Sequence, residues 1–99
     1  MTTLDAFRES VTGISPPHDV RPALQALWWA AKGDWDQAHR VVQGHGDDPE
    51  CHWVHAHLHH QEGDMSNAGY WYRRAGKPVA KSTLDAEWTA IAGALIAET

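Results

Sequence analysis

The sequence predicts an all-α protein, a short right-handed stack of antiparallel helix pairs with about six helices in one domain, 1–99. Three observations predict it. Breaker segments ISPPHD (14–19), KGD (32–34), GHGDDP (44–49), EGD (62–64) and AGKP (75–78) leave stretches of helical length between them. No stretch alternates apolar and polar residues as a half-buried strand does. A unit also recurs: GDWDQAHRVV (33–42) aligns without gaps to GDMSNAGYWY (63–72).

The elements follow in order. A first helix is expected over about 3–12, with Leu4, Phe7 and Val11 on one stripe. The second covers about 20–32. Gly33 ends it in the left-handed conformation, and Asp34 caps the third, about 35–43. Asp48-Pro49 opens the fourth, about 49–62, as an N-cap followed by proline at the first helical position. Gly63-Asp64 repeats the earlier turn before the fifth, about 65–75. Arg73 and Arg74 fall in its last turn, where the helix dipole favours cations. Ser82 and Asp85 have capping-box spacing before the last helix, about 83–97. That helix carries Leu84, Trp88, Ile91 and Leu95 on one side and Ala86, Ala90, Gly93, Ala94 and Ala97 on the other. The second, small-residue face predicts a homodimer through this helix, because exposed apolar patches mark interfaces. The domain divides into an N-terminal helix and linker (1–19), two repeats (20–47 and 48–78) and a capping helix (79–99). Ala26, Trp29, Ala38, Val42, Ala56, Ala68 and Tyr72 are the expected core positions of the repeats.

The repeated unit resembles the tetratricopeptide family, whose pattern is W-x2-L-G-x2-Y, then A-x3-F, then P. Trp29 takes the tyrosine place of the first unit and Ala26 the small place, with Ala38-x3-Val42 as A-x3-F. In the second unit Ala56 is the small residue and Ala68-x3-Tyr72 follows. The resemblance covers roughly 20–78, with a spacing of thirty residues instead of about thirty-four. His52, His55 and His59 stand where the second unit would have W, L and Y. The 55–76 stretch is also loosely similar to small uncharacterised bacterial proteins. The tetratricopeptide resemblance implies a concave groove for a peptide or partner helix, lined here by Leu27, Ala31, Trp53, His57 and His60.

Composition narrows the function. The formal charge is −5 with histidine neutral, which argues against a nucleic-acid binder. The basic pair Arg73-Arg74 beside Tyr70-Trp71-Tyr72 is too small a patch to reverse that. A single cysteine forms no internal disulfide. MTTLDAFRES is acidic and polar where a signal peptide is basic and apolar, and no run approaches the ~20 apolar residues of a membrane span. The expectation is a cytoplasmic protein. Ser-His-Asp and phosphate-loop patterns are absent from the sequence, so a catalytic role is not expected.

The segment HWVHAHLHHQEGD (52–64) carries five histidines. At 100° per residue, Cys51, His52, His55, His59 and Glu62 fall in one sector of about 100°, and Trp53, His57 and His60 in another. Buried imidazoles need hydrogen-bond partners, and the expected polar pocket is His52, His55, His59, Glu62, Asn67, Tyr70 and Arg74. His55 and His59 also stand one turn apart on one face, with Cys51 a turn before and Glu62 nearly a turn after. These are zinc-type ligands. A helix offers only a flat strip of them, so a further ligand is expected from His39, His45 or Asp64. The zinc-protease motif H-E-x-x-H is absent, since Ala56 stands where its glutamate would be. The leading expectation is therefore a protein- or peptide-binding helical module without a cofactor. The alternatives are a zinc-type metal protein, or a small-ligand pocket on the His55/His59/Glu62 face.

Overall fold

A computed structural model describes residues 3–98 and contains six helices: α1 (Leu4–Ser10), α2 (Pro22–Ala31), α3 (Trp35–Gln43), α4 (Pro49–Gln61), α5 (Met65–Ala75) and α6 (Leu84–Ala97). No strand occurs among the described residues, and none of their helices is long and apolar enough to cross a membrane. The helix starts follow their caps. The side chains of Thr3, Asp34, Asp48, Asp64 and Thr83 each accept a backbone N–H of the following turn. The α6 cap is Thr83, one residue after the Ser82 that the capping-box spacing indicated, because Thr83 takes the Ala86 N–H at 3.1 Å.

The two Gly-Asp turns share one geometry. Gly33 and Gly63 have φ of 87° and 82°, which glycine adopts without steric cost. Asp34 and Asp64 follow with φ/ψ of −99°/77° and −89°/79° and cap through Gln37 and Asn67. Two helix pairs result, α2 with α3 and α4 with α5.

α4 is the central element and packs against α2, α3, α5 and α6. It is buried nearly all round, from Cys51 to His59. A helix so placed is usually apolar on every side. Here four of its buried residues are histidines, so its neighbours must supply hydrogen-bond partners. The main apolar cluster lies among α1, α2, α4 and α6, around Phe7, Leu24, Leu27, Trp28, Leu58, Ile91 and Leu95. A smaller one, Ala56 with Ala68 and Tyr72, joins α4 to α5.

Of the expected core positions, Ala26, Ala38, Val42, Ala56, Ala68 and Tyr72 are buried, while Trp29 is only half-buried. Its neighbour Trp28 takes the interior place and donates its Nε1–H to Ser10 Oγ at 3.1 Å. Adjacent helical residues point 100° apart, so burying one large ring leaves the other at the margin.

α6 departs from a stack in which each pair touches only the next. It lies across α2 and α4 and reaches back to α1, where Phe7 and Trp88 stack with centroids 5.7 Å apart. Trp88, Ile91, Ala92 and Leu95 thereby cover the side of α4 that the groove reading left open.

Candidate metal centre

Two histidine clusters form on opposite sides of α4, and each is completed from another helix. On the first side, α3 brings His39 to His55 and His59. His39 Nε2 lies 3.1 Å from His55 Nε2, and the His55 and His59 rings stack at 4.9 Å. One ring nitrogen from each of His39, His55 and His59 lies within 4.8 Å of the others. His59 Nδ1 is 2.5 Å from Glu62 Oε1.

The walls are aromatic. Trp35, one turn before His39, stacks on it at 4.6 Å and is pinned by donating to the Leu58 carbonyl at 2.7 Å. Trp71 of α5 lies flat on His55 at 3.9 Å, with the Arg74 guanidinium 5.3 Å from the centre of its ring. Burial first, and then the neighbouring His39, His59 and His52, push the His55 pKa down to about 3. His39 is also lowered, by burial and then by His59, against the opposing pull of Glu62 and Asp36. Both are neutral near pH 7, the form in which imidazole ligates metal.

On the second side, α6 supplies Glu87, a buried carboxylate. His57 Nδ1 approaches it at 2.7 Å and His60 Nδ1 at 3.1 Å, and the Tyr72 hydroxyl donates to its other oxygen. Burial alone would push the Glu87 carboxyl up. Hydrogen bonds from His57 and Tyr72, the His57 charge, and the His60 hydrogen bond outweigh it and hold the pKa below its ordinary value. Burial and the Glu87 bond push the Tyr72 hydroxyl up, so it stays a donor.

The sequence-predicted residues divide between these places. His55, His59 and Glu62 come together as expected, and His39 joins them as the third imidazole. Cys51 does not. It packs in the main apolar cluster with its thiol 3.6 Å from an Asp48 carboxylate oxygen, and burial followed by Asp48 pushes the thiol up to about 12. His52 turns to the preceding loop and bonds the Gly46 carbonyl at 2.6 Å. Asn67 and Tyr70 lie on the exposed face of α5, and Tyr70 accepts from Arg74 at 3.1 Å, so of the expected pocket residues on that helix only Arg74 reaches the site, through Trp71. His45 is exposed in the α3–α4 loop, and Asp64 approaches His59 and Glu62 while capping α5.

The groove set is also divided. Leu27 and His57 are 0 % exposed, Leu27 under α6 and His57 against Glu87. His60 shares that carboxylate, Ala31 is exposed, and Trp53 is half-buried beneath Lys77, whose Nζ lies 4.3 Å over the ring. Burial of Leu27 and His57 follows from α6 lying on the face that a groove would need.

Glu87 and Trp71 were not singled out by sequence reasoning. A signal for Glu87 exists: it sits three residues after Leu84 and one before Trp88, on the apolar stripe of α6. Comparison with protein-family models, curated proteins and solved structures finds no match for this chain.

Proposed function

We propose that the protein binds a zinc-type transition-metal ion through His39, His55 and His59. The observation that carries this is the convergence of three imidazole nitrogens, drawn from two helices, within 4.8 Å of one another. Zinc–nitrogen bonds of about 2.0–2.1 Å at tetrahedral angles place ligand nitrogens about 3.3 Å apart. The 3.1 Å between His39 and His55 is close to that spacing. A hydrogen bond between His39 and His55 accounts for two of the rings and the Glu62 contact for one nitrogen of the third, but neither requires all three imidazoles to converge. Glu62 occupies His59 Nδ1, which leaves Nε2 for the ion and supplies the carboxylate–histidine support common behind metal ligands. The flat indoles of Trp35 and Trp71 hold the imidazoles in place and exclude water from two sides. Three protein ligands leave a fourth position for water or a small anion.

Elemental analysis of protein purified without an affinity tag tests the reading. The expected result is a zinc-type ion bound in a fixed ratio to the chain and lost in His39→Ala and His59→Ala. Folded protein that contains no metal and takes up none from a zinc buffer overturns it.

A second reading, peptide binding by a tetratricopeptide-like pair of units, has its own support. The Gly-Asp turns match in conformation, and a mostly apolar cleft of about 450 Å³ runs beside Trp53, Val79, Ala90 and Ile91. Its site is this cleft, not the face of α4 that α6 covers.

A further inference from the structure

The cleft beside Trp53 is bounded by a segment whose charge is opposite to that of the chain. Residues 65–84 hold four of the eight lysines and arginines, namely Arg73, Arg74, Lys77 and Lys81, and none of the thirteen acids. The remainder carries the other four cations against all thirteen acids, so the net −5 conceals a cationic patch. All four of these residues are exposed, and none forms an ion pair among the described residues. Cations clustered and unpaired on an acidic protein attract anions from solution. Lys77 and Lys81 border the cleft itself, Lys77 with its Nζ 4.3 Å over the Trp53 ring. Glu87 also borders it, but His57, His60 and Tyr72 occupy its oxygens.

The cleft has an apolar floor and a wall of unpaired backbone. Trp53, Ala90 and Ile91 supply carbon surface, and Val79, 46 % exposed, stands beside them. Between α5 and α6 the chain runs from Pro78 to Ser82 without helix, and no residue of this stretch takes part in a backbone–backbone hydrogen bond among the described residues. Ala80 is turned inward onto Tyr72, while Val79 and Lys81 on either side of it are exposed. The backbone groups of Val79 and Lys81 can therefore pair with a second chain. An extended peptide uses such a row together with a side-chain pocket, whereas a membrane surface offers no backbone groups to pair.

Building on the peptide-binding reading of this cleft, we infer that its partner is an extended acidic peptide. One apolar side chain enters over Trp53 and Ile91, flanking carboxylates meet Lys77 and Lys81, and the backbone pairs along Val79 to Lys81. The site is separate from the metal centre and does not depend on it.

The probe is a fluorescein-labelled, capped heptapeptide of one leucine flanked on each side by three glutamates, titrated with the full chain and read by anisotropy. A counterpart with glutamine in place of glutamate keeps the length, the leucine and the backbone. At low salt the acidic peptide is expected to bind about tenfold more tightly than the glutamine one, the order of two exposed ion pairs. The difference should shrink in 1 M salt, where the screening length falls to about 3 Å. Lys77→Gln combined with Lys81→Gln should remove the preference and leave the affinity for the glutamine peptide unchanged. Ala90→Trp fills the cleft from an exposed position and should abolish binding of both peptides. Thermal melts of these variants should stay close to that of the parent, because all three positions are exposed. Two peptides that bind equally and are both blocked by Ala90→Trp overturn the acidic partner while leaving a peptide cleft. Binding of neither peptide overturns the cleft as well. An acidic preference that survives the double lysine variant places the recognition elsewhere and overturns the inference. A chain that ignores both peptides but sediments with phosphatidylserine vesicles makes the patch a membrane surface instead.

Discussion

Replacing Glu87 by alanine removes the acceptor shared by three side chains. His57 and Tyr72 are 0 % and 1 % exposed, so water does not replace the lost bonds without opening the core. His60 is half-buried and regains a water partner. Two buried donors are therefore orphaned, at about 1–3 kcal/mol each. Removal of a buried carboxylate also relieves its desolvation, so the net loss should fall near 3–5 kcal/mol, as for other broken buried pairs. That is a large part of the 5–15 kcal/mol that holds a typical domain together. Urea melts followed by tryptophan fluorescence measure it. The midpoint should fall sharply at a nearly constant slope. Tyr72→Phe should cost less, about 1–2 kcal/mol, because it removes one donor and leaves His57 and His60 on the carboxylate. Combining the two should give less than the sum, since they share one bond. A loss under about 1 kcal/mol for Glu87→Ala, or strict additivity with Tyr72→Phe, would show that the network is not a unit.

Acid should weaken the fold. The folded His55 pKa is about 3, below the ordinary ~6.5, so the unfolded chain binds the proton first. Stability is then fully present above pH ~6.5 and declines as pH falls through the window beneath it, by up to ~1.4 kcal/mol per pH unit for one such group. The lowered His39 and Glu87 act in the same direction. Chemical melts from pH 7.5 to pH 5 test this, with a shallower decline expected in His55→Gln; a flat profile refutes it. Ala68 is fully buried against α4, so Ala68→Leu should overpack that interface and cost about 1–3 kcal/mol in the same melts. Zinc at a hundredfold excess over its dissociation constant should stabilise the protein by about 2.7 kcal/mol, and His39→Ala should remove that gain.

How much of this was legible in the sequence depended on whether the signal was local. Asp34, Asp48 and Asp64 announced their helices because a cap is decided by the residues around it. The alternation of Gly-Asp turns located both helix pairs for the same reason. The cap at Thr83 was missed by one residue because Ser82 and Thr83 are both competent, and only the backbone conformation chooses. His55 and His59 could be paired from helical spacing alone. Their third partner required knowing that α3 lies along that face, which made His39 one candidate among three. The other side of α4 was misread because the groove assumed that α6 would cap the end of a stack. Instead Trp88, Ile91 and Leu95 bury themselves on α2 and α4, and Glu87 on the same stripe is carried inward to His57, His60 and Tyr72. Only long-range packing gave it three hydrogen-bond partners.

The central claim, that His39, His55 and His59 form one metal centre, is tested most directly by cobalt(II) titration of the untagged protein. Cobalt replaces zinc in such sites and reports its geometry through visible absorption bands. The predicted result is saturable uptake of a single ion per chain, with the intense bands of a tetrahedral, nitrogen-rich site that zinc displaces and that disappear in His39→Ala. Weak, octahedral-type bands that persist unchanged in His39→Ala, or no saturable binding, would contradict it.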